Sequence, residues 1–177
     1  GIKFLHNNNA MKSIFLPSLR QCEKDFMWSN TLLVNVDFPA LKECGDKFLY
    51  FNQNINKVNF SSLEICGNGF MYFNQKIKEL LLPKLRVCGG SFMYINNSLE
   101  CFYAPNFKRC GHDFLYKNTT LLEMYAPRLR QRGYCFLANN ERVSKFIPCL
   151  LNNLKSVFHA NALKNNLKNN ISYLKNK

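Results

Sequence analysis

One motif recurs along the chain at a fixed interval, and this repeat limits the chain to very few folds. Residues 41–52, 63–74 and 85–96 read LKECGDKFLYFN, LEICGNGFMYFN and LRVCGGSFMYIN, so that each motif begins 22 residues after the previous one. A single unit is too short to bury its own apolar face, and its neighbours must stack against it. Strict self-similarity at this period therefore predicts a solenoid.

Each unit contains a strand and a compact turn. The strand segments, such as 32–39 and 99–105, alternate apolar and polar residues near their ends and close with proline, which cannot continue a ladder. The turn that follows carries a Cys-Gly pair, and we expect its glycine to adopt a backbone conformation closed to other residues. Stacked strands are expected to form one parallel sheet with a spacing of about 4.8 Å.

Five cysteines occupy one column of the repeat and are interpreted as core residues. Thiols in register can stack as small, polarisable groups, whereas their parallel side-chain directions disfavour disulfides between neighbours. No C-x-x-C or H-x-x-x-H spacing is present, so the sequence predicts neither a metal nor another cofactor. Reduced thiols favour a reducing compartment, either the cytoplasm or, for a secreted effector, the host cytosol. The cysteine column is Cys22, Cys44, Cys66, Cys88 and Cys110.

Asparagine fills a second column without interruption. Its side-chain amide carries two donors and an acceptor, so it can satisfy turn backbone groups in its own coil and in the adjacent one. We interpret this column as a structural ladder and not as a binding site. Its central members are Asn30, Asn52, Asn74, Asn96 and Asn118.

At this level of detail the repeat resembles a known family. The pattern L-x-x-V-x-F-P-x-L-x-x-C-G-x-x-F-x-x-x-N is similar to the bacterial leucine-rich repeats of the BspA-like, or Treponema pallidum, type. It departs from them where cysteine replaces the usual isoleucine before glycine, and where asparagine stands at the later Cys or Asn position. The resemblance implies an α/β solenoid: a right-handed leucine-rich-repeat superhelix of about seven coils with one parallel β-sheet on its concave face. It also implies a binding scaffold, as in host-interacting proteins of bacteria and protozoa, and carries over no catalytic residue.

The repeat does not continue to the end of the chain, which divides into a repeat array over 1–149 and a second segment over 150–177. Apolar residues in the second segment recur at intervals of three and four, beginning with Leu150 and Leu154, which predicts amphipathic helix. We expect a helical C-terminal cap over the last coil, with binding to a membrane surface as the alternative. Because Gly1 opens partway through a repeat, we expect the chain to be a piece of a longer protein.

The outward column of the strands varies between coils and is the candidate binding surface. Its last four members are apolar or aromatic, which predicts a contiguous patch on the concave face of the kind found at protein interfaces. The alternative is that these bulky side chains only pack against one another across coils. The predicted partner-binding residues are Leu81, Tyr103, Tyr125 and Ile147, with Glu79 and Glu123 in the flanking polar rim.

A strong excess of basic residues suggests a second kind of partner. Lysine and arginine outnumber the acidic residues by 24 to 11, which gives a net charge of +13 and favours anionic lipid, nucleic acid or another phosphate-bearing partner. Much of this charge lies in one column, which is otherwise interpreted as a solvated edge. A column of Trp28 and tyrosines in the turn is interpreted as packing between coils, which argues against nucleic acid. The basic column is Arg20, Lys42, Arg86, Lys108 and Arg130, interrupted by Glu64.

No constellation in the chain indicates catalysis. A nucleophile with a neighbouring base, paired acids and a glycine-rich phosphate loop are all absent from the sequence, so we expect no enzyme activity in this chain. A catalytic domain elsewhere in a longer protein is a further possibility. The sequence thus predicts a non-catalytic leucine-rich-repeat scaffold for protein–protein recognition, the host- or partner-binding region of a larger bacterial or protozoan protein.

Overall fold

The computed structural model describes residues 2–147 and confirms the predicted solenoid, a stack of coils that repeat every 22 residues. A coil contributes a three-residue strand to a first sheet and, in the first four coils, a two-residue strand to a second sheet. The first-sheet strands are β1 (Ser13–Phe15), β3 (Asn35–Asp37), β5 (Lys57–Asn59), β7 (Glu79–Leu81), β9 (Cys101–Tyr103), β10 (Glu123–Tyr125) and β11 (Lys145–Ile147). The second-sheet strands are β2 (Gln21–Cys22), β4 (Glu43–Cys44), β6 (Ile65–Cys66) and β8 (Val87–Cys88).

All strand pairs are parallel, and each residue lies beside the equivalent residue of the next coil. In the first sheet Phe102 pairs with Met124, and in the second sheet Cys44 pairs with Cys66. The second sheet extends beyond β8 through isolated bridges that join Val87 to Arg109 and then to Gln131. The fixed period of the sequence thus produces a fixed strand register, in which residues at the same position of the repeat lie beside one another.

Three expectations about the architecture need correction. No helix occurs within residues 2–147, so the described fold is a parallel β-solenoid and not an α/β one. Four of the five cysteines of the column lie in strands of a second sheet, where only a turn was expected. About five turns form, fewer than the seven coils expected. The predicted helical cap over 150–177 lies outside the described residues.

Left-handed residues in each turn explain why no helix forms there. Lys47, Leu49 and Phe51 have φ angles of 56°, 51° and 59°, and the same three positions are left-handed in every coil described. Their N–H groups bond between coils: Leu49 donates to Phe26 O at 3.0 Å, and Phe51 donates to Tyr72 O at 2.9 Å. Each such residue costs about 1 kcal/mol in backbone energy, which these hydrogen bonds offset.

The glycine of the Cys-Gly pair serves a different purpose from the expected one. Gly67 does not have a positive φ; among the glycines described, only Gly69 does. A β-carbon on Gly67 would instead lie 2.7 Å from the backbone nitrogen of Asp46 in the preceding coil. The expectation of a special backbone conformation was therefore wrong, and close approach of neighbouring coils requires the glycine.

Stacked phenylalanines fill the centre of the solenoid. Phe48, Phe70 and Phe92 lie one above another, with ring centroids 5.4 Å and then 4.9 Å apart and nearly parallel planes. Phe102 of β9 and Phe60, the residue that follows β5, pack edge-on against this stack. Such offset and edge-to-face contacts add to the stabilisation from apolar burial.

The asparagine amides cross-link the turns of adjacent coils. Asn52 Oδ1 accepts a hydrogen bond from Asn30 N at 2.6 Å. Its Nδ2 donates to Met27 O at 2.9 Å and to Tyr50 O at 3.2 Å. Asn52 is fully buried, so Asn30 N and Met27 O depend on its amide for a partner, whereas Tyr50 O also accepts from Ser29 N at 2.9 Å.

A discontinuity lies between β5 and β7. The first sheet divides there into a three-stranded part and a four-stranded part. At the same junction Asn74 Oδ1 is buried without a hydrogen-bond partner. The two parts stay joined through the second sheet, where β6 pairs with β8, and through the stacked rings of Phe70 and Phe92.

We predict that Asn52→Ala lowers the free energy of unfolding by about 1–3 kcal/mol, because it leaves Asn30 N and Met27 O buried and unpaired. Asn74→Ala should cost less, since the Oδ1 of Asn74 has no partner to lose. The exposed Asn56→Ala is the control and should change stability by less than about 0.5 kcal/mol. Urea denaturation checks the order, and equal effects of all three substitutions would contradict the ladder.

We also predict that the thiols of the cysteine column stay free and unreactive in the native chain. Burial raises the pKa of the Cys44 and Cys66 thiols well above their ordinary value, so little thiolate is present to react. Among the cysteines of residues 2–147, Cys135 is exposed and should react first with a thiol reagent. Thiol titration before and after denaturation, without reductant, is the measurement. Three or four disulfides in the denatured chain would refute the prediction.

Candidate functional site

The outward face of the first sheet is the candidate functional site. Successive strand residues point to opposite sides, so in β9 the side chain of Phe102 is fully buried, while Cys101 and Tyr103 lie half-buried on the outer side. The strand register then aligns Tyr103 with Tyr125 and Cys101 with Glu123. Two outward columns result, and their composition changes along the solenoid.

The first three coils give this face a polar character. Asn35 Nδ2 donates to Ser13 Oγ at 3.0 Å, and Asn59 Nδ2 donates to Asp37 Oδ1 at 2.8 Å. Phe15 is the exception, with 56% of its surface exposed at the start of the column. These side chains therefore bond to one another across neighbouring coils.

The following coils give the face an aromatic patch, which we define as Leu81, Tyr103 and Tyr125. The two tyrosine rings stack with centroids 5.1 Å apart and planes 9° from parallel. Leu81 pairs in register with Tyr103 and, like both tyrosines, is half-buried. Burial and, to a smaller extent, Tyr125 raise the pKa of Tyr103, so the hydroxyl of Tyr103 remains protonated near neutral pH. Ile147 continues the column in β11 by backbone register with Tyr125.

A second column forms an acidic rim beside the aromatic patch. Glu79, Cys101 and Glu123 follow one another in register across β7, β9 and β10. Burial raises the pKa of Cys101 to about 12, with further contributions from the charges of Glu79 and Glu123. Because two of its three residues are glutamates, the rim is anionic, although the chain as a whole is strongly basic.

The basic column lies at the corner between the two sheets, and its five members are exposed. The structure does not bring all of them together, because Glu64 separates Lys42 from Arg86. Arg86 forms an ion pair with Glu64 at 3.6 Å. The basic column is thus divided, at the interruption expected from the sequence, into a short first part and a longer second part.

Sequence reasoning missed a column that adds to the second part. Lys84 and Arg128 stand two residues before members of the basic column and line the same shallow cleft. Their column carries Ser18 and Ala40 in the first coils, so no consistent signal marks it along the whole chain. Comparison of the last three coils alone would reveal it.

The tyrosines of the turn stack face to face between neighbouring coils. Tyr50, Tyr72, Tyr94 and Tyr116 form a continuous stack with centroid distances of 4.5, 4.8 and 4.7 Å. A nucleic-acid base needs an open ring face to stack on, and the inner faces of this stack are covered. The arrangement supports packing between coils as the role of this column.

Within residues 2–147, no group of three or more histidine, cysteine, aspartate or glutamate side chains has a geometry that could hold a metal ion. In the same part of the chain, no helix has the length and apolar character to cross a membrane.

We predict that the acidic rim controls the reactivity of Cys101. Replacing Glu79 and Glu123 by glutamine removes two negative charges that raise the pKa of Cys101, so its pKa should fall and alkylation should become faster at alkaline pH. Burial still holds the pKa above the ordinary value, so the change should be partial. Mass spectrometry of the Cys101 peptide against pH measures the rate, with Glu141→Gln as a control. An unchanged rate would show that the carboxylates do not act on this thiol.

Comparisons of the chain with protein-family models, with curated proteins and with solved structures find no match.

Proposed function

We propose that the chain is a non-catalytic repeat scaffold that recognises a protein partner through the aromatic patch. The observation that carries this proposal is the stacked pair of Tyr103 and Tyr125 on the outward face of the first sheet. The pair is preformed and only half-buried, so it offers a flat apolar surface at little cost in side-chain entropy. Tyrosines in such positions often carry much of the binding energy of an interface.

The surroundings of the patch define the chemistry of the partner. Leu81 extends the apolar surface, while Glu79 and Glu123 place negative charge along one side of it. A complementary partner presents an apolar or aromatic side chain to the tyrosines and a lysine or arginine to the acidic rim. The rim thus selects a basic edge on the partner even though the scaffold itself is basic.

We further propose that the array is related to the BspA-like leucine-rich repeats and serves as a host- or partner-binding region of a larger protein. The support is the 22-residue period, one outward-facing strand in each coil and the proline that ends it. The right-handed superhelix and the concave outer face belong to the same proposal. Proteins of this design place their variable columns on the sheet and their constant columns in the core.

We predict that Tyr103→Ala and Tyr125→Ala each weaken binding of the partner by on the order of 2 kcal/mol while leaving the fold intact. The partner is first isolated by affinity capture from host or cell extracts, and its affinity for each variant is then measured. Phe15→Ala is the matched control, because Phe15 occupies the same column in the first coil and lies outside the patch. Melting temperatures check that the variants fold.

Charge reversal in the basic column tests the alternative function. If the partner binds the aromatic patch, Lys108→Glu should leave the lifetime of the complex nearly unchanged and alter mainly the association rate. Tolerance of both tyrosine substitutions, together with loss of binding on Lys108→Glu and in added salt, would refute the proposal. That result would favour a phosphate-bearing or anionic partner held at the basic corner.

A further inference from the structure

A shallow cleft at the corner between the two sheets gathers four cationic side chains from three successive coils. The cleft has a volume of about 240 Å³ and lies beside the turns that lead from first-sheet strands toward the second sheet. Its location separates it from the aromatic patch, which lies on the outward face of the first sheet. We call it the basic cleft, and its lining residues are Glu64, Lys84, Arg86, Asn106, Lys108 and Arg128.

Asn106 fixes one side of the basic cleft. Its Nδ2 donates to the carbonyl oxygen of Pro83 in the preceding coil at 2.8 Å, and its Oδ1 accepts from Arg128 Nη1 at 2.8 Å. A guanidinium has five N–H donors, so this bond leaves most of the Arg128 donors for a ligand. Because the side chain is already held, binding costs less conformational entropy than it would for a free arginine.

The basic cleft carries an uncompensated positive charge. Its one acidic residue, Glu64, pairs with Arg86 at 3.6 Å. The ion pairs found among the residues that the structure describes do not include Lys84, Lys108 or Arg128. Cations held close together without acids repel one another, and an anion that enters the cleft relieves this repulsion.

We propose that the basic cleft binds a ligand that carries two or more phosphate groups. Adjacent coils are separated by about 4.8 Å, so cations from three coils span about 10 Å, which is wider than one phosphate can bridge. The fork of Arg128 matches the oxygens of a phosphate, and lysine contributes a point charge that tolerates many geometries. A soluble polyphosphate ester and the headgroup of a phosphoinositide share this chemistry. The site does not depend on the proposed function, because it uses none of the residues of the aromatic patch.

The basic column contains a natural comparison for the site. Lys42 and Lys108 occupy the same position of the repeat and are both exposed. Lys42, however, has Ala40 and Ser62 in the column where the basic cleft has two cations. Replacing either lysine by glutamine changes the net charge by the same amount. A difference in anion affinity between the two variants would therefore be due to the cleft and not to the overall charge.

The test measures binding of inorganic tripolyphosphate to the full chain by calorimetry, with orthophosphate as the single-phosphate comparison. Lys108→Gln and Arg128→Gln should each weaken tripolyphosphate binding by about tenfold or more, because each variant loses a hydrogen bond to a charged group. Lys42→Gln should change the affinity by less than about twofold, because an isolated exposed charge is largely screened. Orthophosphate should bind much more weakly than tripolyphosphate.

Two results would overturn the proposal. One is an equal loss of affinity in Lys42→Gln and Lys108→Gln, which would mean that the overall positive charge attracts the anion. The other is equal affinity for orthophosphate and tripolyphosphate, which would mean that the cleft does not use several phosphate groups. Unchanged melting temperatures of the free variants exclude unfolding as the cause of a loss.

A second measurement identifies the source of the phosphates. Phosphatidylcholine vesicles with and without phosphatidylinositol bisphosphate are sedimented with the wild-type chain and with Lys108→Gln. Binding that requires the phosphoinositide, is lost in the variant and is competed by tripolyphosphate supports a membrane lipid as the ligand. Tripolyphosphate binding without vesicle binding supports a soluble ligand. Vesicle binding that persists in Lys108→Gln contradicts the involvement of the cleft.

Discussion

Hydrogen bonds between coils are the interaction on which the whole array depends. The short strands, the left-handed turn residues and the asparagine amides all direct their donors or acceptors to the neighbouring coil. An isolated unit would leave these groups without partners, and its phenylalanine would lack the ring on which it stacks. The 22-residue register therefore determines the backbone geometry and the composition of the core together, because it brings the same residue type to the same place in each coil.

The sequence was informative where a residue repeats and silent where geometry is local. The inward direction of Phe102 and the outward direction of Tyr103 follow from period and alternation. The second sheet could not be predicted, since a two-residue strand such as Gln21–Cys22 is too short to show alternation. The left-handed conformation of Lys47 and Phe51 has no local signal either, because hydrogen bonds from neighbouring coils impose it. Lys84 was missed because its column is uncharged in the first coils.

The division of the first sheet between β5 and β7 coincides with a change of surface chemistry. Before it, polar side chains bond to one another across the outward face, as the Asn59 amide does to the Asp37 carboxylate. After it, the same column carries Leu81 and two stacked tyrosines, and the basic cleft opens at the neighbouring corner. Both candidate binding surfaces therefore belong to the later coils. A solenoid permits this arrangement, because its core columns maintain the fold while outward columns vary from one coil to the next.

The asparagine ladder gives the stack a direction. At five junctions the backbone N–H of one ladder asparagine donates to the side-chain oxygen of the ladder asparagine in the following coil. Asn30 N donates to Asn52 Oδ1 in this way. A turn is consequently complete only after the next coil has been laid down. During synthesis from the amino terminus, each coil has to wait for another 22 residues before its own backbone is fully paired. Each new coil thus supplies the last hydrogen-bond acceptor that the preceding coil needs.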